Sequence, residues 1–350
     1  MHWTLQSNST STSLNLKSYV FYFSSATLLS FSLHLPELMV PTGGFRELSQ
    51  PLELPGCISF RGKDLPGPDL ERSCETYKTV LHMFKRLRLA DGIIVNSFLD
   101  FEPEPIIALQ QSNSKFPHIY PVGPILRTES KHINMPASEC LMWLDSQPKD
   151  SVLYVSFGSG GTLSQDQLHE LALGLEMSGH KFLWVVRAPS GDACSAYLTT
   201  QKKNDPLDYL PEGFIERTKG EGFVVPSWAP QIEILRHESI GGFLTHCGWN
   251  SILEAIFYGK SMIAWPLFAD QRMNAVMLTE QFKVALRPKD DENNNGIVER
   301  KEVARVVKIA MEGDEGTELR RRIQALKDAA LRALGEDGSS TRTVSNLAFE

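Results

Sequence analysis

The sequence has no CxxC pair, no extended run of lysine and arginine, no internal repeat and no apolar stretch of membrane-spanning length. Each absence excludes something. The five cysteines (Cys57, Cys74, Cys140, Cys194, Cys247) are odd in number and scattered, which rules out a zinc ribbon and argues against a disulfide scaffold, leaving reduced thiols as the simplest reading. With 35 Lys+Arg against 42 Asp+Glu the formal charge is −7, so the chain lacks the basic surface of a nucleic-acid protein, although a local anion site stays open. The most apolar window, residues 19–35 (YVFYFSSATLLSFSLHL), is 17 residues long and carries four serines, a threonine and a histidine. A spanning helix needs about 20 mostly apolar residues. The window is therefore read as a buried helix of a soluble domain, with a signal or anchor as the alternative. The Asn8-Ser9-Thr10 sequon is read as chance.

What is present is enough apolar side chain, 42% of 350 residues, to bury two cores. From Ala90 onward short β-rich runs alternate with helix-period runs, the pattern of a parallel sheet covered on both faces. Strands are predicted at 92–96, 119–122, 151–157, 182–186, 223–226, 242–245 and 262–265. Helices are predicted at 104–109, 232–236, 251–257, 274–282, 301–311 and 315–334. The clearest helix follows Ser164: Leu168, Leu171, Ala172 and Leu175 share one face, Ser164 and Gln167 are spaced as a capping box, and Gly179 supplies the stop. Residues 127–138 and 192–205 are polar and aperiodic, a linker and a surface insertion.

In open α/β sheets ligands bind beyond the carboxyl ends of the strands, where helix N-termini point backbone N–H groups at anions. Two stretches fit. Phe157-Gly158-Ser159-Gly160-Gly161 is a strand-to-helix glycine turn, but it is not GxGxxG, and such turns also use glycine for packing. Residues 241–254 (GGFLTHCGWNSILE) run from an apolar strand through His246 and Gly248 into a helix opened by Asn250 and Ser251, a donor set suited to a diphosphate. The bland alternative is an S-x-x-E capping box made by Ser251 and Glu254, with His246 in the core.

The span from Trp228 to Gln271 resembles the donor-binding signature of plant family 1 UDP-glycosyltransferases: Trp228-Ala229-Pro230-Gln231, His246-Cys247-Gly248-Trp249-Asn250-Ser251, Glu254, Ala264-Trp265-Pro266 and Asp270-Gln271, in order over 44 residues. Flanking stretches are family-like too: Ile93-Ile94-Val95-Asn96-Ser97-Phe98, Tyr120-Pro121-Val122-Gly123-Pro124, Trp143-Leu144-Asp145 and Phe182-Leu183-Trp184-Val185-Val186-Arg187. Leu54-Pro55-Gly56-Cys57 and Gly62-Lys63-Asp64-Leu65 look most like the branch of hydroquinone glucosyltransferases (arbutin synthases), which act on small phenols.

The resemblance implies an α/β, GT-B-like fold of two Rossmann-type domains with the N-terminal one incomplete. The expected divisions are a disordered tail (1–18), a partial acceptor-side domain (19–126), a linker (127–139), a UDP-sugar-binding domain (140–335) and a segment returning to the first domain (336–350). It implies that Trp228 stacks on uracil with Ala229 and Gln231 near the base edge, and that Glu254 takes the ribose hydroxyls. Ser159, His246, Asn250 and Ser251 hold the diphosphate, Gly248 shapes the turn, and Trp249, Asp270 and Gln271 face the sugar. The implied reaction is inverting transfer of glucose from UDP-glucose to a small phenolic acceptor by a cytoplasmic monomer, with no cofactor, no metal, no nucleic acid and no membrane partner. Trp228 in the core and Asp270 as a helix N-cap are the structural alternatives.

Phe257-Tyr258-Gly259-Lys260-Ser261 departs from the family, which has small apolar residues and a proline there, and Lys260 reads as a solvated loop charge. The larger departure concerns the general base. The family uses a histidine in a G-H-x-x-P-like context, oriented by an aspartate further along the first domain, and neither motif occurs in this sequence. His2 lies in a polar tail and His34 in an apolar run. The chain is accordingly expected to begin partway through the first domain and to be impaired in catalysis. The alternatives are a non-catalytic UDP-sugar-binding or heteromeric interaction protein, and, less favoured, a membrane-tethered protein. A nicotinamide-dependent dehydrogenase is disfavoured because no GxGxxG follows a strand.

Overall fold

The computed structural model describes residues 16–67, 71–111, 115–126, 135–189, 205–289 and 296–348. Two parallel sheets organise them. The first joins β1 (Tyr19–Tyr22), β2 (Gly92–Val95) and β3 (His118–Pro121) in that order, with α1 (Ala26–His34), α2 (Glu75–Leu87) and α3 (Pro103–Gln110) in the crossovers. Helix α4 (Met135–Asp145) leads into the second sheet: β4 (Val152–Ser156), β5 (Lys181–Val186), β6 (Gly222–Pro226), β7 (Ile240–Thr245), β8 (Ser261–Ala264) and β9 (Ala285–Leu286). Between these strands lie α5 (Gln165–Ser178), α6 (Phe214–Arg217), α7 (Gln231–Arg236), α8 (Trp249–Tyr258) and α9 (Gln271–Val276). The chain then continues through α10 (Arg300–Glu312), α11 (Asp314–Leu334) and α12 (Ser339–Leu347).

The second sheet runs β6-β5-β4-β7-β8-β9. Counted within the sheet this is the 3-2-1-4-5-6 order of doubly wound nucleotide-binding domains, whose reversal, here between β4 and β7, opens a crevice at the carboxyl ends of the strands. Strand β4 reads as a continuous apolar run because both of its faces are covered: Val152 and Tyr154 join one core, Leu153 and Val155 the other. The first of these cores also takes in Phe98 and Phe101 from beyond β2, so apolar packing continues from one sheet to the other.

Several expectations need correction. Residues 19–35 are not one helix. Tyr19–Tyr22 pair with Gly92–Val95 as a strand, and Ser25 then caps α1 by accepting from the Leu28 N–H at 3.0 Å. The aromatic and β-branched start favours a strand, and the serine pair supplies the break. Among the described residues no helix is long and apolar enough to cross a membrane. Ser164 caps α5, but Gln167 does not complete the box: its amide bonds both backbone groups of Val298, at 3.0 and 2.8 Å. Helix α4 starts inside the stretch read as a linker, and α2 and β9 were not predicted. Near the C-terminus, Ser340 donates its hydroxyl to the Gly123 carbonyl at 2.5 Å, bringing α12 against the end of β3. His2, the sequon, Cys194 and residues 127–134, 192–204 and 349–350 lie outside the described residues. The other four cysteines are free thiols.

A candidate nucleotide-sugar site at the strand ends

The register of the sheet assembles the site. Ser156 pairs with Thr245 and Thr245 with Ala264, so the chain leaves β4, β7 and β8 side by side. The residue two beyond Ser156 is Gly158 and the residue after Thr245 is His246. A Cβ on Gly158 would lie 2.6 Å from the His246 ring, and one on Gly248 would lie 2.4 Å from its Nε2. Gly158 also has φ +73°, which glycine tolerates best. The imidazole is therefore packed against the backbones of two glycine turns, with no room for a side chain at either unless the ring moves. Ser159 is exposed on the first of them.

His246 is the electrostatic centre of this arrangement. Burial holds its imidazole down at about 4, so it is neutral at pH 7. Its Nδ1 is shut off from solvent and makes no hydrogen bond. A buried polar atom without a protein partner is costly in a protein interior.

Helix α8 opens immediately afterwards. Its N-cap is Gly248 and no side chain caps it, so the amides of its first turn are not taken by a capping side chain. The capping-box reading of Ser251 and Glu254 is thereby overturned. Both lie inside the helix and both face Gln231, whose Nε2 donates to Glu254 Oε2 at 2.7 Å and lies 3.0 Å from Ser251 Oγ. The Tyr154 hydroxyl lies 3.5 Å from Gln231 Oε1. Tyr154 was not singled out from the sequence, because its position in the middle of a buried strand hides the polar tip. Asn250 is exposed at the helix mouth.

Trp228 follows the end of β6, held by Ser227 N–H on the Val186 carbonyl at 2.7 Å. It is 51% exposed, which removes the core alternative. Leaving a large apolar ring out of the interior forgoes about 1.5–3 kcal/mol of burial. Ala229 beside it is buried.

On the other side of the rim, Asp270 stands at the N-cap position of α9 without capping it. Its Oδ2 instead accepts from Ser24 Oγ at 2.6 Å and from Asn274 Nδ2 at 3.1 Å. Gln271 is buried, and its Oε1 closes the preceding turn by accepting from Leu267 and Phe268 N–H at 2.9 and 3.0 Å. Its amide nitrogen takes no part in closing that turn. Trp249 is a correction: its indole is buried, donates to the Asn96 carbonyl at 2.7 Å and stacks on Phe101, so its side chain ties the two sheets instead of facing a ligand.

Lys260 is a correction too. It is 8% exposed and donates to the carbonyls of Ile240 and His237 at 2.7 and 3.1 Å, at the opposite end of the strands from the site. A surface cavity of about 500 Å³ beside Asp166, His169, Glu170 and Arg300 also lies apart from the glycine turns.

The chain matches the model of the family described as UDP-glucoronosyl and UDP-glucosyl transferase over residues 94–288. It is 54% identical over 332 residues to a hydroquinone glucosyltransferase of Rauvolfia serpentina, covering 94% of this chain and 70% of that protein. The structure of Phytolacca americana UGT2, complexed with UDP-2fluoro-glucose and pterostilbene, superposes with a TM-score of 0.86 at 48% identity, over 95% of this chain and 71% of that one. A Polygonum tinctorium UDP-glucosyltransferase capable of glucosylating indoxyl gives a TM-score of 0.87, also at 48% identity, over 97% of this chain and 71% of that one. The doubly wound sheet with these residues at its strand ends, together with that kinship, makes the chain a member of the plant family 1 UDP-glycosyltransferases, with the GT-B fold.

Proposed function

We propose that this chain binds UDP-glucose along the carboxyl rim of its second sheet and serves transfer of glucose to the hydroxyl of a small phenol. The observation that carries the reading is the sandwich of His246 between Gly158 and Gly248 next to the uncapped mouth of α8. A neutral imidazole N–H, the first-turn amides, Ser251 and Asn250 form a donor set for a diphosphate that works with no metal as part of it. Trp228 supplies a stacking face for uracil, Glu254 accepts from ribose hydroxyls, and Asp270 and the Gln271 amide address the glucose. The phenolic acceptor is supported by the hydroquinone glucosyltransferase relative and by the stilbene in the Phytolacca complex.

In the reaction, the acceptor oxygen bonds to the anomeric carbon as the bond from that carbon to the β-phosphate oxygen breaks, with inversion. UDP leaves with the electron pair, and the phenolic proton must pass to a base. His246 is enclosed on the donor side, and His34 lies on α1 with Nδ1 2.7 Å from the Ser30 carbonyl and its ring against Phe116. Both rings are held within their own elements, and neither is read as that base. A positioned base speeds such a transfer by about 10²–10⁴. The packing of these two rings supports a second reading, a protein that binds nucleotide sugar without turning it over, alone or with a catalytic relative.

Isothermal titration calorimetry with UDP and UDP-glucose tests the donor site, and no heat from folded protein refutes it. Mass-spectrometric detection of a hydroquinone glucoside then separates the two readings.

A further inference from the structure

The turn between β1 and α1 reaches across 246 residues of sequence to the sugar end of the rim. Ser24, 3% exposed, donates its hydroxyl to Asp270 Oδ2 at 2.6 Å, and Asn274 Nδ2 reaches the same oxygen at 3.1 Å. Asn274 is itself fixed to the turn that carries His246, donating to the Cys247 carbonyl at 3.0 Å. One oxygen of the carboxylate is thus held from both sheets.

The turn that presents Ser24 is rigid for a reason found elsewhere in the first sheet. Glu102, fully buried, accepts from the N–H groups of Ala26 and Thr27 at 2.8 and 2.9 Å, from the Thr27 hydroxyl at 2.8 Å and from the Ser97 hydroxyl at 2.5 Å. A buried carboxyl group with four hydrogen-bond partners at a helix N-terminus is held in place, since any displacement leaves several polar groups unpaired at once. Ser24 stands two residues before Ala26, so the hydroxyl is delivered to Asp270 from a fixed point.

A free carboxylate turns about its last torsion and offers either oxygen. Tying Oδ2 removes that freedom and leaves Oδ1 to be presented in one direction, so that a hydroxyl meets an acceptor already oriented. We infer that Ser24 is a positioning residue for the donor sugar: by holding Oδ2 of Asp270 it sets the affinity for the hexosyl group of the donor and leaves the affinity for the nucleotide alone. This rests on the reading of Asp270 as a sugar-side residue.

Calorimetry on the full chain with two ligands, UDP and UDP-glucose, tests it. In Ser24→Ala, UDP-glucose affinity falls about tenfold, the order of one hydrogen bond to a charged group, while UDP affinity stays within twofold. Ser24→Thr, which keeps the hydroxyl, restores the wild-type ratio. In an Asp270→Asn background the Ser24→Ala loss shrinks, because the tied oxygen is no longer a carboxylate's. If Ser24→Ala does not fold, Ser24→Cys, similar in size and a weaker donor, carries the same comparison. Equal losses for both ligands, no loss for either, or a threonine variant that behaves as alanine overturns the inference and makes Ser24 a tie between sheets. A wild-type chain that binds neither ligand overturns the donor site as well, which distinguishes that failure from this one.

Discussion

His246 lies over Gly158 so closely that a single added methyl group would sit 2.6 Å from its ring. The contact joins the loop after β4 to the loop after β7, the two strands that flank the reversal of the sheet. Gly158→Ala is expected to act twice. At φ +73° the new residue is strained, and its Cβ collides with the imidazole. A loss of about 1–3 kcal/mol in unfolding free energy is expected, together with weakened UDP binding as His246 is pushed out of line. Urea denaturation and UDP titration of the same preparation check the pair of effects, and an alanine variant with wild-type values in both contradicts the sandwich.

Trp228→Ala separates binding from folding. The ring is half out of the protein, so its removal leaves the melting temperature within a degree or two. Stacking of an aromatic side chain on a base contributes about 1–3 kcal/mol, so UDP affinity drops by roughly fivefold to more than a hundredfold. Differential scanning fluorimetry and calorimetry check the two halves. An unstable variant, or one that binds as tightly as wild type, removes Trp228 from the site.

Much of this was legible because local signals and tertiary structure agree. SVLYVSF is apolar on both faces, and the parallel sheet covers both faces of β4. Ser164 reads as a cap and is one. The sequence falls short where a side chain is claimed by a distant element. Trp249 sits in a motif that suggests ligand contact, yet its indole N–H is taken by a carbonyl 153 residues away. Ser251 and Glu254 have capping-box spacing, but the helix starts at Trp249, which puts both a turn too deep to cap. Lys260 follows a glycine turn and reads as solvated, while the carbonyls it bonds come from the end of α7 and the start of β7. Ser24 and Asp270 are 246 residues apart, and no periodicity links them.

Burial gives Lys260 a pH dependence of its own. Its ammonium is pushed down to about 8, below the ordinary value of 10.5, by desolvation. Between about pH 8 and 10.5 the unfolded chain holds a proton on this group that the folded chain has released, so this residue makes stability rise with pH over that window. Buried tyrosines work in the opposite sense at alkaline pH, so the informative quantity is a difference. Unfolding free energies of wild type and Lys260→Met, measured from pH 7.5 to 10, should diverge in favour of wild type as pH rises. Parallel curves would show that the ammonium is solvated.

His246 makes the complementary prediction on the acid side. Burial lowers its folded value to about 4, against 6.5 for an unperturbed imidazole. Between those values the unfolded chain binds a proton that the folded chain refuses, so stability falls as pH drops from about 6.5 to 4, by at most about 1.4 kcal/mol per pH unit from this group. His246→Asn lacks the titration and should lose less stability than wild type over the same interval. Diphosphate binding reverses the preference, because two negative charges beside the ring favour its protonated form. UDP-glucose, whose diesterified diphosphate has no ionisation near pH 6, should therefore take up a fraction of a proton on binding at pH 5.5 that it does not take up at pH 7.5, read as a buffer-dependent binding enthalpy. The uptake should vanish in the asparagine variant. An enthalpy that ignores the buffer at both pH values would place the phosphates away from His246.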